Sequence, residues 1–235
     1  MAVLREMPVS ELPREKAERY GIASLSAREL IALLIRTGSK DMSVLETADE
    51  ILKETDGVKG LMRITLEDLC RIRGIQKAKA LQLLAGIELS RRILREEVHT
   101  KGTADNPKAL LRWLQSEIGN EMQENFLVIY LDTANQILRY RILFKGTINA
   151  SGVYPREIFK EAFQCGSTSL ILVHNHPAGT LAPSYADKRI TERLERAAAV
   201  MDLTILDHII VTSGGYYSFR EAGILVQDVE GRWKQ

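Results

Sequence analysis

The spacing of apolar positions changes character close to residue 107. Before it, apolar residues recur at helical intervals and the segments are punctuated by caps and glycines. Ser26 is placed to cap a helix over ARELIALLIRT, with Gly38 as its stop signal. A second helix is predicted from about Val44 to Lys53, closed at Asp56-Gly57. Thr65 with Asp68 has the form of a capping box before a short helix ending near Arg73-Gly74. From Gln76 to Arg95, the apolar residues Ala80, Leu83, Leu84, Ile87 and Leu94 keep helical spacing. The polar run REEVHTKGTADNP, 95–107, carries Gly102 and Pro107 and reads as a linker.

Beyond Pro107 an amphipathic helix, PKALLRWLQSEI, gives way to strand-like runs. FLVIYL (126–131) predicts a buried strand, DTAN a turn, and QILRYRILF (136–144) its partner. Helices are predicted over Pro155 to Phe163 and Ser184 to Val200, and strands over SLILVH (169–174) and LTILDHIIV (203–211), the last followed by an SGG turn. The expectation is an α/β chain. A small all-α domain (1–97) and a linker (98–106) precede a domain (107–227) whose mixed β-sheet is flanked by helices.

Composition narrows the class without naming it. The 235 residues are 45% hydrophobic and 27% charged, values of an ordinary globular protein that needs no disulfide staples. Cys70 and Cys165 show no paired spacing, and no apolar run reaches the roughly 18 residues of a membrane span. A reduced, cytoplasmic protein without a membrane anchor is expected. A net charge of +1 argues against a surface built wholly for nucleic acid. Locally the balance differs: Arg71, Arg73, Lys77, Lys79, Arg91, Arg92 and Arg95 face the single acid Glu88.

The chemistry is concentrated in VHNHPAGTLAPSYAD, 173–187. His174 and His176 stand two apart at the end of a strand, so the period of two puts both imidazoles on one face. Pro177 and Gly179 turn the chain, and Asp187 sits in the first turn of the next helix. Two imidazoles and a carboxylate make a catalytic type of zinc shell, with a fourth position for water. Ordinary hydrogen-bonded histidines are the competing reading, and Ser184 with Asp187 also has the form of a helix cap. Capping, however, gives no reason for paired histidines upstream.

The pattern His-x-His, seven residues, Ser-x-x-Asp resembles the JAMM motif of MPN-type metalloproteases, which include deubiquitinating isopeptidases. The wider chain resembles the bacterial RadC family in ENFLVIYLD, KGTINASGVYPREIFKEAF, LILVHNHPAGTLAPSYAD and LDHIIV. The resemblance implies a JAMM/MPN-like, cytidine-deaminase-like architecture. It also implies one zinc ion per chain on His174, His176 and Asp187, with Ser184 binding the oxygen of a tetrahedral intermediate. Family members place a Glu before the first buried strand of the domain, and Glu124 matches that position. Glu117, Glu121, Glu157 and Glu161 are the rival acids, the last two expected in solvated or capping roles. The implied activity is hydrolysis of amide or isopeptide bonds in a protein or peptide substrate.

In the first domain, LCRIRGIQKAKA (69–80) resembles a helix-hairpin-helix, an element that offers backbone N–H groups to a DNA phosphate. Gly74 and Ile75 match its hairpin, whereas Gln76 replaces the second glycine. Non-specific DNA contact through the 69–95 segment competes with a helical hairpin used for protein contact or packing. Three function classes follow. The first is a zinc-dependent hydrolase. The second is a non-catalytic, DNA-associated or protein-interaction factor linked to repair or recombination, with a structural or vestigial metal site. The third is a metal-dependent nuclease, disfavoured because one His-His-Asp site lacks the further carboxylates of a two-metal centre. Asp207 and His208 receive no role.

Overall fold

A computed structural model describes residues 12–101, 107–146 and 154–225. The chain forms two compact units that divide between Arg92 and Ile93. The first is helical: α1 (Pro13–Tyr20), α2 (Ala27–Ile35), α3 (Val44–Glu54), α4 (Leu66–Arg71) and the beginning of α5 (Lys77–Lys101). Three of these helices open with capping boxes, Ser26 with Glu29, Ser43 with Glu46 and Thr65 with Asp68. Each box satisfies backbone N–H groups that a helix start otherwise leaves unpaired, at about 1 kcal/mol per cap. Their apolar faces close on one core containing Ile31, Ile35, Ala48, Ile51, Leu69 and Leu83.

Gly38 has a different job from the one its position suggests. Helix α2 already ends at Arg36, which takes a positive φ of 65°. A Cβ on Gly38 would lie 2.1 Å from the Met42 carbonyl oxygen, so only glycine allows the backbone to close up there.

The expected linker is partly helical. Helix α5 continues through Lys101, and Leu94 and Val98 pack into the second unit's core. Helical periodicity therefore persists through residues whose polarity suggested a connection. Residues 102–106 of that linker, and 147–153 of the RadC-like segments, lie outside the described residues.

The second unit is built on a five-stranded mixed sheet in the order β2-β1-β3-β4-β5. These are β1 (Asn125–Leu131), β2 (Ile137–Lys145), β3 (Ser169–Asn175), β4 (Thr204–Thr212) and β5 (Gly215–Ser218). Only β3 and β4 run parallel. Helix α6 (Pro107–Glu117) covers one face, with Trp113 and Leu114 against Leu127, Ile129 and Val173. Helices α7 (Pro155–Cys165) and α8 (Tyr185–Val200) cover the other, with Phe159 and Leu194 against Val128, Tyr130 and Leu172. Strands β1 and β3 are buried along their whole length, which explains their uninterrupted apolar runs. Each fully buried Leu or Ile side chain contributes about 1.5–3 kcal/mol to this packing.

The DTAN turn forms as expected: the Asp132 carboxylate accepts the Ala134 and Gln136 N–H groups, and Asn135 takes a φ of 57°. Helix α1 and strand β5 were not foreseen. No helix among the described residues is long and apolar enough to cross a membrane.

Candidate metal centre

Strand β3 delivers His174 to the interior, where it is only 1% exposed. The strand ends one residue later, at Asn175, so His176 lies just beyond it rather than within it. Pairing nevertheless extends that far: the His176 N–H donates to the Val211 carbonyl of the parallel neighbour at 3.2 Å. Gly179, at φ 81°, then reverses the chain, its N–H donating to the His176 carbonyl. The chain enters α8 at Ser184, whose hydroxyl oxygen accepts the Asp187 N–H at 3.1 Å, while Asp187 Oδ2 accepts the Ser184 N–H at 2.7 Å. Capping and clustering thus coexist. The box fixes Asp187, and the fixed carboxylate faces both histidines.

His174 Nε2 lies 3.0 Å from His176 Nε2 and 3.3 Å from Asp187 Oδ1, and His176 Nε2 lies 3.5 Å from Asp187 Oδ2. A tetrahedral zinc shell with bonds of about 2.0–2.1 Å has edges of roughly 3.3 Å; the two histidine nitrogens approach that spacing, and each histidine is nearest a different Asp187 oxygen. The proton positions also fit. His176 Nδ1 is 2.7 Å from the Thr180 carbonyl, which only accepts, so this nitrogen carries a proton, and in its neutral form His176 presents a lone pair at Nε2. One ligand atom from each of the three residues lies within 4.8 Å of the others, close enough for the group to hold a metal ion.

The electrostatics agree. Burial would raise the Asp187 carboxyl, but the facing histidines, which donate to it whenever their Nε2 atoms carry protons, act with Ser184 to hold the group far below the usual carboxylate range. Burial pushes His174 down, whereas the Asp187 hydrogen bond pushes His176 up.

Glu124 directly precedes β1 and lines a cavity of about 580 Å³ together with Gln123, His176, Thr180, Ser184 and Asp187. Its charge adds the smallest of the influences that favour the protonated forms of both histidines. The rival acids are engaged elsewhere or absent from that cavity. Glu117 binds Arg95 and the Trp113 indole N–H, and Glu157 pairs with Arg156. Glu161 departs from expectation. It is neither solvated nor capping but buried on α7, where it clamps Arg139 and Arg141 from β2. The exposed Glu121 contributes its carbonyl to Asn175.

Two residues were missed by sequence reasoning. Asn175, between the two histidines, is fully buried; its Oδ1 accepts the Asn125 N–H at 2.7 Å and its amide donates to the carbonyls of Glu121 and Gln123. It thereby ties down both sides of Glu124. An Asn at the end of an apolar strand run, set between two histidines, was the available signal, since a buried amide must find partners. His208 is fully buried on β4, its Nε2 2.8 Å from His174 Nδ1 and its Nδ1 2.6 Å from Thr191 Oγ1. Only the β3–β4 register, which sets His174 beside Ile210 and Leu172 beside His208, reveals that proximity.

In the first unit, Gly74 takes φ 90°, while Gln76 is not among the positive-φ residues. Lys79 does not face outward. Its ammonium donates to the carbonyls of Gly38 and Gly74 at 2.8 and 3.0 Å. Arg71, Arg73 and Arg92 pair with Asp68, Asp41 and Glu88, and Arg91 donates to the Met62 carbonyl.

Comparison with known proteins accords with this architecture. Residues 104–224 match the RadC-like JAB domain and residues 4–81 match the UPF0758 N-terminal family. UPF0758 proteins of Bacillus cereus strains ZK / E33L and AH187 are each 42% identical over 220 residues, covering 94% of this chain and 98% of theirs. A UPF0758 protein of Bacillus thuringiensis subsp. konkukian (strain 97-27) is 41% identical over the same extent. With a JAB-type sheet carrying a His-His-Asp cluster in which His174 and Asp187 are buried, and a helical region before it, the chain belongs to the UPF0758 family of proteins with a RadC-like JAB domain.

Proposed function

We propose that the chain is a zinc-dependent hydrolase of amide or isopeptide bonds in a protein or peptide substrate. The observation that carries this reading is the convergence of His174 Nε2, His176 Nε2 and an Asp187 carboxylate oxygen within 4.8 Å of one another, beside a cavity that also holds Glu124 and Ser184.

Zinc held by His174, His176 and Asp187 would supply an electrophile and a water acidic enough to ionise near pH 7. The remaining work falls to the chain. The Glu124 carboxylate takes the water's proton and returns it to the leaving amine, the usual division of labour for a general acid–base. Ser184 Oγ already accepts the Asp187 N–H, so its own proton points elsewhere and is available to the carbonyl oxygen of the substrate as negative charge grows there. Asp187 is held by the helix cap while it faces the histidines, so binding an ion requires little rearrangement. Asn175 keeps the 123–125 backbone in place and with it the approach of Glu124.

The test is metal analysis of the native full-length protein, coupled to a search for cleaved partners with Glu124→Gln as a trap. About one zinc per chain, lost in His174→Ala, together with substrates captured by Glu124→Gln and cleaved by the unmodified protein, is the expected result. A metal-free protein whose stability is unchanged by His176→Ala would overturn the reading.

A further inference from the structure

The His174 imidazole is not isolated on the side away from the cluster. Behind it stands a line of three buried polar groups: His208, Thr191 and the backbone carbonyl of Asp187. His208 is walled by Phe219, stacked at 4.7 Å between ring centroids, and by the edge of Phe126 at 5.8 Å. It is wholly removed from solvent, and its two ring nitrogens face only His174 and Thr191.

The direction of every hydrogen bond in this line follows from its last member. A carbonyl only accepts, so the Thr191 hydroxyl, 2.6 Å from the Asp187 oxygen, gives its proton to that oxygen. Thr191 Oγ1 is then an acceptor toward His208, whose Nδ1 must carry the ring proton. In a neutral imidazole the other nitrogen is bare, so His208 Nε2 accepts from His174 Nδ1. With its proton on Nδ1, His174 presents a lone pair from Nε2 toward His176 and Asp187.

We propose that His208 and Thr191 are positioning residues that lock His174 in the Nδ1–H tautomer and so hold its Nε2 ready to bind the metal. The inference rests on the proposed metal site and adds to it the device that prepares one ligand. Histidine ligands commonly donate their second N–H to a carboxylate or a backbone carbonyl. Here the acceptor is a neutral histidine, which orients the ring without adding a negative charge behind it. The loop also closes on itself, because the carbonyl that fixes the protons belongs to Asp187, whose side chain is part of the same cluster.

The test is made on the full-length chain labelled with 15N. Long-range proton–nitrogen correlation spectra distinguish protonated from bare ring nitrogens, before and during titration with zinc. His208 is expected to be neutral with Nδ1 protonated and Nε2 bare in both states. Zinc affinity is then measured by competition with a chromophoric chelator. His208→Gln, whose Oε1 can stand where Nε2 stood, is expected to retain affinity close to that of the unmodified chain. His208→Phe is expected to weaken it by about tenfold or more. Thr191→Val removes the acceptor of the His208 proton while preserving shape; it is expected to shift His208 toward the Nε2–H form and to weaken zinc to a similar degree.

A His208 protonated on Nε2 in the unmodified chain would overturn the proposal, as would a folded Thr191→Val with unchanged tautomer and unchanged affinity. If the unmodified chain bound no zinc, the hydrolase reading would fail on that measurement, whereas the nitrogen spectra would still decide the tautomer.

Discussion

Between Arg71 and Arg92, charge that looks available in the sequence is largely consumed by the fold. Arg71, Arg73 and Arg92 meet carboxylates, and Lys79 and Arg91 meet backbone carbonyls. In the stretch from His174 to Asp187 the reverse holds. Two imidazoles and a carboxylate are brought together with their ligand atoms facing one another and, among the described residues, no lysine or arginine as a hydrogen-bond partner. Both stretches carry a dense charge pattern, but one is a set of completed interactions and the other is a set that an ion would complete. A buried group at 1% exposure cannot turn to water for compensation, so the second arrangement has the stronger claim to a ligand. Exposed ion pairs such as Arg71 with Asp68 are worth at most about 1 kcal/mol and can exchange partners, whereas the half-buried Lys79 bridges two carbonyls from within.

The comparison can be broken most decisively at the cluster. Asp187→Asn preserves a side-chain oxygen for the Ser184 cap but removes the charge, and is expected to abolish stoichiometric zinc. Elemental analysis checks it, and full zinc retention would remove Asp187 from the site. Glu124→Gln is expected to keep the metal while lowering hydrolysis by about 10²–10⁴, the usual contribution of a general base, read in a cleavage assay against a captured substrate. Asn175→Ala leaves the Asn125 N–H without its partner and removes two donors, with an expected loss of about 2–4 kcal/mol in urea unfolding and a fall in hydrolysis as the Glu124 backbone loosens.

The first unit supplies smaller effects that sharpen its side of the contrast. Lys79→Met is expected to cost about 1.5–3 kcal/mol, the range for hydrogen bonds from a charged donor, seen as a lower urea midpoint. Stability unchanged by that substitution would return Lys79 to the pool of charges open to phosphate. Lys77, exposed at the start of α5, is the cleaner probe of DNA contact: if the segment touches phosphate, Lys77→Glu should reduce the salt slope of binding by about one or more. No binding at low ionic strength would confine the segment to packing or protein contact.

Acid separates the helical unit by its caps. Burial opposes ionisation of Glu29, yet the Ser26 N–H, Lys16 and the Ser26 hydroxyl hold its carboxyl down at about 2. The Ser43 N–H and hydroxyl lower Glu46, and the Thr65 hydroxyl and N–H lower Asp68. Because these folded values lie below the unfolded ones, their stabilisation is complete above about pH 4.5 and is lost as pH falls toward 2. Circular dichroism at 222 nm across that window should report the loss, and Glu29→Gln should flatten it.

Much of this was legible in the chain because it depends on neighbours in sequence. The Ser26 and Thr65 caps, the DTAN turn and the buried β1 and β3 runs are local matters of spacing and side-chain chemistry. So was the grouping of His174, His176, Ser184 and Asp187, since a strand end, a turn and a helix start separate them by only a few residues. The helical extension of α5 through Lys101 was not legible. Its register is held by packing of Leu94 and Val98, while its polar composition resembles a connection.

What the sequence determined alone was the elements that carry His174, His176 and Asp187 and their nearness at a strand end and a helix start, because capping and strand periodicity act over a handful of residues. Only the tertiary structure decided which distant side chains complete that set. The parallel register of β3 and β4 brings His208 behind His174, and Asn175 reaches across to the loop that carries Glu124. It likewise decided that Lys79 is a staple between Gly38 and Gly74, a role set by a contact forty-one residues away along the chain. Such roles depend on pairings between separate elements, and a linear pattern does not encode them until the chain has folded.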